Sequence, residues 1–224
     1  MKLVPVLTAA AVLFTLSCGT VDTAKKYPRM VADADPIAVG TIDAATDRMF
    51  SPKLNRAEIE IIFYPRLNAV ALEFKYELLT YRQFWNEANR QQFAAALELY
   101  KADYAARNLI NKYKKTRSIY GKVKGQTEWE AFKYARTHNA YPVIELGYRF
   151  NGETPFFTSF MRPAKEQNSR RDGSDPDNSP AITLYFTRAQ AEELVWLFDQ
   201  NYLMELVAEK GTIKSDEPFD VDDY

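Results

Sequence analysis

The sequence predicts an α+β fold, an antiparallel sheet with two long helices packed on one face. Three observations carry that prediction. Residues 58–64 and 69–78 alternate apolar and polar side chains, a Thr-x-x-Gln motif precedes an apolar stripe of helical spacing at both Thr80 and Thr187, and Asn151-Gly152 separates two further extended runs. Alternation marks a strand buried on one side. Thr with Gln three residues on satisfies the free N–H groups at a helix start, and Asn-Gly accepts the positive φ values of a tight hairpin.

The chain opens with Lys2, an apolar run over 3–14, and then Thr15-Leu16-Ser17-Cys18-Gly19. The run is shorter than the roughly 18 residues that cross a bilayer as a helix, and it has the build of a signal peptide. No small-residue A-x-A site follows, so the processing point falls just before Cys18, the chain's one cysteine. A cysteine exposed there accepts acyl chains, and each buried methylene contributes about 0.8 kcal/mol to membrane binding. The stretch from Thr15 to Cys18 resembles a bacterial lipobox of the relaxed kind found in spirochaetes. Thr15 stands where the usual motif has Leu, and Ser17 is a suitably small residue before the cut. The resemblance implies a signal peptide over 1–17, lipidation at Cys18 and a cell-envelope address. Gly19 lacks the Asp that retains lipoproteins in the inner membrane, which the resemblance takes as permission to reach the outer one; the expected address is the inner or outer membrane, with the domain facing periplasm or exterior. A plain secretory signal or an uncleaved anchor is the alternative.

Residues 18–55 read as the lipidated cysteine and a polar tether punctuated by Ala, Asp and Pro, and the domain proper as 56–209. Its first two strands form a hairpin with Ile59, Ile61 and Phe63 beside Val70, Leu72, Phe74, Tyr76 and Leu78. After Thr80 the spacing predicts a helix to about residue 111, with Tyr81, Trp85, Ala88, Phe93, Leu97, Tyr100 and Tyr104 on one face and one slip between Ala88 and Phe93. Extended segments follow at 116–124, 129–137, 141–150 and 155–161, of which 129–137 also suits a short helix. Residues 162–179 read as a long polar loop, 181–186 as a strand and 187–209 as a second helix. The tail, 210–224, is acidic and read as flexible.

Composition narrows the chemistry. A hydrophobic content of 46% with 26% charged residues is that of a globular chain, and a formal net charge of -1 supplies no global basic field, so no nucleic-acid partner is expected. One His and one Cys leave no Cys/His zinc cluster and no disulfide framework, and no metal or cofactor is expected. His138 is a structural or surface histidine, since no activated nucleophile accompanies it. Glu58, Glu60, Glu73 and Glu77 read as a solvated sheet face rather than a pair of catalytic carboxylates. Asp172, Asp175 and Asp177 fail the EF-hand spacing.

The aromatic excess, 14 Phe, 14 Tyr and 3 Trp, exceeds what obvious motifs account for. Much of it must be core, but Tyr120, Trp129, Tyr134, His138, Tyr141, Phe156 and Phe157 gather near the predicted meander and are the candidate binding residues. That surface requires those rings to be exposed. The expected function is a lipid-anchored binding or structural module of the cell envelope, touching the membrane through its lipid and taking an envelope protein or glycan as partner. An envelope hydrolase or a small-molecule carrier is the alternative.

Overall fold

The computed structural model describes residues 30–48, 51–111, 117–130, 136–167 and 178–210. The expected signal peptide, Cys18, Tyr134, the three aspartates from 172 to 177 and the acidic tail beyond 210 lie outside them. The described chain is mainly β, which corrects the α+β expectation. Its elements are β1 (Ile37–Arg48), β2 (Ser51–Tyr64), β3 (Ala69–Tyr76), β4 (Leu79–Asn86), α1 (Glu87–Ala105), β5 (Arg117–Lys124), β6 (Gln126–Glu130), β7 (His138–Ala140), β8 (Val143–Asn151), β9 (Thr154–Met161), β10 (Ile182–Phe186), α2 (Arg188–Leu197) and α3 (Gln200–Lys210).

All ten strands form one antiparallel sheet in the order β5-β8-β9-β10-β1-β2-β3-β4-β6-β7. The two ends of that order belong to the same hairpin. Pairing passes from Lys124↔Val143 in β5 and β8 to Thr127↔Ala140 in β6 and β7 with no change of register. The base of this hairpin pairs with β9 and its tip with β4, so the sheet curls back on itself. A direct contact confirms the curl. Gln83 Nε2 on β4 lies 3.5 Å from Met161 Sδ on β9, whereas strands five places apart in a flat sheet stand roughly 24 Å from each other.

The inner face of the curl is the core. Ile59, Ile61, Phe63, Val70, Leu72, Phe74, Ile144, Leu146, Ile182, Leu184 and Phe186 alternate into it. The helices close its open side. Phe93 of α1 sets its ring within 5.1–6.1 Å of Trp85, Phe157, Phe186 and Phe198, edge-on contacts that suit the ring quadrupole. Along the seam, Asn89 Nδ2 donates to the Lys124 carbonyl at 3.2 Å and Tyr120 to Asp103 at 2.6 Å.

Several expectations are overturned for identifiable reasons. The two long helices are three of 19, 10 and 11 residues. Thr80 and Gln83 lie in β4 rather than at a helix start, and α1 begins at Asn86, whose side chain accepts from Asn89 N–H at 2.9 Å. The slip between Ala88 and Phe93 is the change of period. Tyr81, Gln83 and Trp85 turn inward at spacing two, and Phe93, Leu97 and Tyr100 at helical spacing. The capping box at Thr187 does form, with both reciprocal bonds. Its helix ends at Phe198, and Asp199 starts α3 by accepting from Tyr202 N–H. Part of the expected tether, from residue 37 onward, is β1 and the start of β2. At the Asn-Gly site the two-residue loop is Gly152 and Glu153, between the pair Asn151↔Thr154. Among those two only Gly152 has positive φ, +62°, as in a type II′ turn.

Burying so many tyrosines sets the alkaline limit of stability. Burial pushes Tyr100 and Tyr185 up to about 12, Tyr185 also through its hydrogen bond to Asp47, and it raises Tyr81 and Tyr120 as well, Tyr120 also through its bond to Asp103. A phenol held neutral in the fold contributes stability that is complete below its ordinary value of 10 and is lost as pH rises through the folded value. Arg90, lowered to about 10 by burial, works in the opposite sense over the same window, but it is one group against four. The urea midpoint is therefore expected to fall steadily between pH 10 and about 12, in step with phenolate absorbance. A midpoint flat across that window would refute the account.

Candidate functional site

An open surface concavity arises from an irregularity in β1. Pairing steps from Ala38↔Ile62 to Gly40↔Ile61, so Val39 is an extra residue and the strand bulges. Val39 packs against the core, while Ala38, Gly40 and Thr41 are small and exposed. Gly40 presents only backbone outward, because a Cβ there would face Leu197 of α2 at 3.7 Å. Against these small residues stand Ile62 and Tyr64 of β2, with Pro36 at one end. The result is an open, mostly apolar groove of about 530 Å³. Tyr64 is fixed by an edge contact with Phe84, centroids 5.4 Å apart.

One rim of the groove is acidic. Glu60 sits across from Thr41 on one side and Glu73 on the other, and that row continues to Arg82 and Glu128. Arg82 Nε donates to Glu73 at 2.8 Å, and its Nη1 lies 3.5 Å from Glu128. Burial pulls the Arg82 pKa down, but the hydrogen bond and charge of Glu73 outweigh it and the net shift is upward. Arg82 is thus held by two acids, which leaves the exposed Glu60 without an ion pair among the described residues. An apolar groove beside a spare carboxylate suits an apolar segment carrying a cation.

A second arrangement surrounds the single histidine. His138 stacks on Trp129, centroids 5.4 Å apart and planes 22° apart. Its Nδ1 lies 3.7 Å from Glu166, too far for a hydrogen bond, and Glu166 is held by backbone pairing of its own segment with Ala140. The Glu166 side chain has 0% exposure.

A family model described as an uncharacterised Treponema protein matches residues 36–205, from just before β1 into α3. The chain belongs to this family. It is also 24% identical over 189 residues to an uncharacterised protein of Treponema pallidum (strain Nichols), an alignment covering 84% of this chain and 65% of that relative. The chain thus spans a little under two thirds of the relative's length. No solved structure matches.

The aromatic residues singled out from the sequence do not share one surface. Phe157 and Trp129 are core residues, Tyr120, His138 and Phe156 are half-buried, and Tyr141 is exposed. The first two are inward residues of β9 and β6, and Phe156 packs edge-on against Tyr185 of β10. The β1 side of the groove escaped the sequence analysis because the bulge breaks the alternation that would have marked a strand, whereas Glu60 of β2 reads from the sequence only as part of a solvated sheet face.

Proposed function

We propose that the chain is a lipid-anchored cell-envelope protein, held through acyl chains on Cys18, whose barrel domain is a binding module for an envelope protein. The observation that carries the reading is the open apolar groove between β1 and β2 with a carboxylate at its rim, Glu60, that has no ion pair among the described residues. Apolar area supplies the affinity of such a contact, and the charge at its edge selects the partner. The preferred ligand is an extended segment that lays apolar side chains against Ile62 and Tyr64 and brings a Lys or Arg to Glu60.

The test has two arms. In the native host, the detergent-phase protein is expected to have the mass of the chain from Cys18 plus acyl chains, and Cys18→Ser to lose both the acyl mass and the detergent partition. In the groove, a photo-crosslinker at Thr41 is expected to give one discrete adduct, about tenfold weaker in Glu60→Lys and undiminished when the exposed loop residue Glu153 is changed to Lys. An adduct indifferent to Glu60→Lys would discard the groove. A native chain without acyl mass would discard the anchor.

A further inference from the structure

The end of the barrel at which the described chain begins is also where an aromatic pair sits, one ring exposed and the other half-buried against the core. Val31 N–H donates to the Pro65 carbonyl at 2.9 Å. The 3-10 turn Pro65–Leu67 then ends at Asn68, whose backbone oxygen accepts from Arg90 at 3.1 Å. Arg90 in turn donates from Nε to the Phe198 carbonyl at 3.1 Å, in the link between α2 and α3. On either side of that link, Trp196 and Tyr202 stack with centroids 4.3 Å apart and planes 30° apart. Trp196 is 56% exposed, while the other two tryptophans, Trp85 and Trp129, are buried. Met30 and Leu67, exposed by 62% and 44%, belong to the same end.

We infer that this is the membrane-facing end, and that Trp196, Tyr202, Leu67 and Met30 seat in the headgroup and acyl boundary of the bilayer that holds Cys18. The inference rests on the reading of Cys18 as the anchor. Met30 follows Cys18 by twelve positions, a reach of at most about 40 Å. The end that carries residue 30 is therefore the end held near the lipid. Tethering at that range gives an effective concentration on the order of millimolar, so a patch too weak to bind vesicles from solution still seats. Trp and Tyr suit that boundary because each joins an apolar ring to a polar group that stays hydrated. Beside the patch, Arg66 lies 2.5 Å from Asp33 and 3.9 Å from Asp35, so basic charge there is offset and the contact depends on the acyl boundary rather than on anionic headgroups.

The single cysteine makes the test direct. The chain from Cys18 is coupled through its thiol to a maleimide lipid in phosphatidylcholine vesicles whose acyl chains are brominated, and tryptophan emission is compared with that of the uncoupled chain mixed with the same vesicles. The Trp196 share of the emission is expected to fall roughly two-fold or more on coupling, with no such fall in coupled Trp196→Phe and little in the uncoupled mixture. Coupled wild type quenched no more than Trp196→Phe would overturn the proposal. So would shielding of Trp196 from iodide in the uncoupled chain as its concentration is raised, which would assign the patch to a second copy. Because the coupling supplies the anchor chemically, missing quenching counts against the patch alone, whereas a native chain lacking acyl mass counts against the anchor alone.

Discussion

Arg90→Met is expected to destabilise the domain by about 3–5 kcal/mol, because several buried acceptors lose their donor at once. Arg90 is 3% exposed, and its guanidinium touches no carboxylate among the described residues. It donates instead to the carbonyls of Phe198, Asn68 and Trp85 at 3.0–3.1 Å, and to the side-chain oxygens of Asn68 and Gln200. Those five acceptors come from the turn before β3, the end of β4 and the junction of α2 with α3, so one side chain ties the sheet to all three helices. Asn68 takes a left-handed conformation, φ +45°, to end its turn, which Asn tolerates better than most residues. Burial lowers the Arg90 pKa to about 10, so the group is still charged at neutral pH. Met fills the volume and offers no donor, and each stranded acceptor costs about 1–3 kcal/mol unless water reaches it. Arg90→Lys keeps the charge but has three donors in place of five, and it is expected to recover only part of the loss. Urea denaturation with unchanged m-values is the measurement. A loss below about 1 kcal/mol would mean that water replaces the guanidinium and that the hub is not structural.

The contrast between Arg90 and β1 shows what this sequence discloses and what it hides. Arg90 falls three residues before Phe93 and seven before Leu97, on the buried stripe of α1, so its position was a readable sign of a buried cation. The hairpin of β2 and β3, strand β10 and the capped start of α2 were equally readable, because each depends on neighbours within a few residues. What hid was whatever depends on distant partners. β4 obeys the spacing of a strand only for Tyr81, Gln83 and Trp85, too short a run to outweigh the helical stripe beyond it. Its status as a strand comes from pairing with β3 and with β6, about 45 residues away. Closure of the sheet by a hairpin that pairs with β9 at its base and β4 at its tip leaves no local pattern at all. The groove was lost with β1, and the stack of His138 on Trp129 depends on the β6 to β7 register. Trp196 and Tyr202 fall within 187–209, a stretch that reads as one helix; the break at Asp199 sets them on two helices, with Trp196 exposed and Tyr202 half-buried.

Gly147→Ala is expected to cost about 3 kcal/mol or more, a large penalty for one methyl group. Its cause lies in β5, where a register shift between Ile119 and Gly121 bulges the strand toward β8. A Cβ at position 147 would fall on the Ser118 carbonyl oxygen and within 2.9 Å of Ile119 Cα. Both are backbone atoms, so no side chain can swing aside, and the two strands must separate to admit the methyl. They are the base of the hairpin that closes the sheet, and its tip carries the pairing with β4, so a local separation loosens both junctions. Gly121→Ala supplies the control on the same bulge. Its added Cβ would meet nothing nearer than Ala96 Cβ and Gln92 Oε1 at 4.0 Å, and its backbone needs no positive φ. That substitution is expected to be neutral or to stabilise by up to about 1 kcal/mol through the unfolded chain. Chemical denaturation of the two variants side by side separates close backbone approach from a general need for glycine in this hairpin. Equal stability of the two would sink the argument.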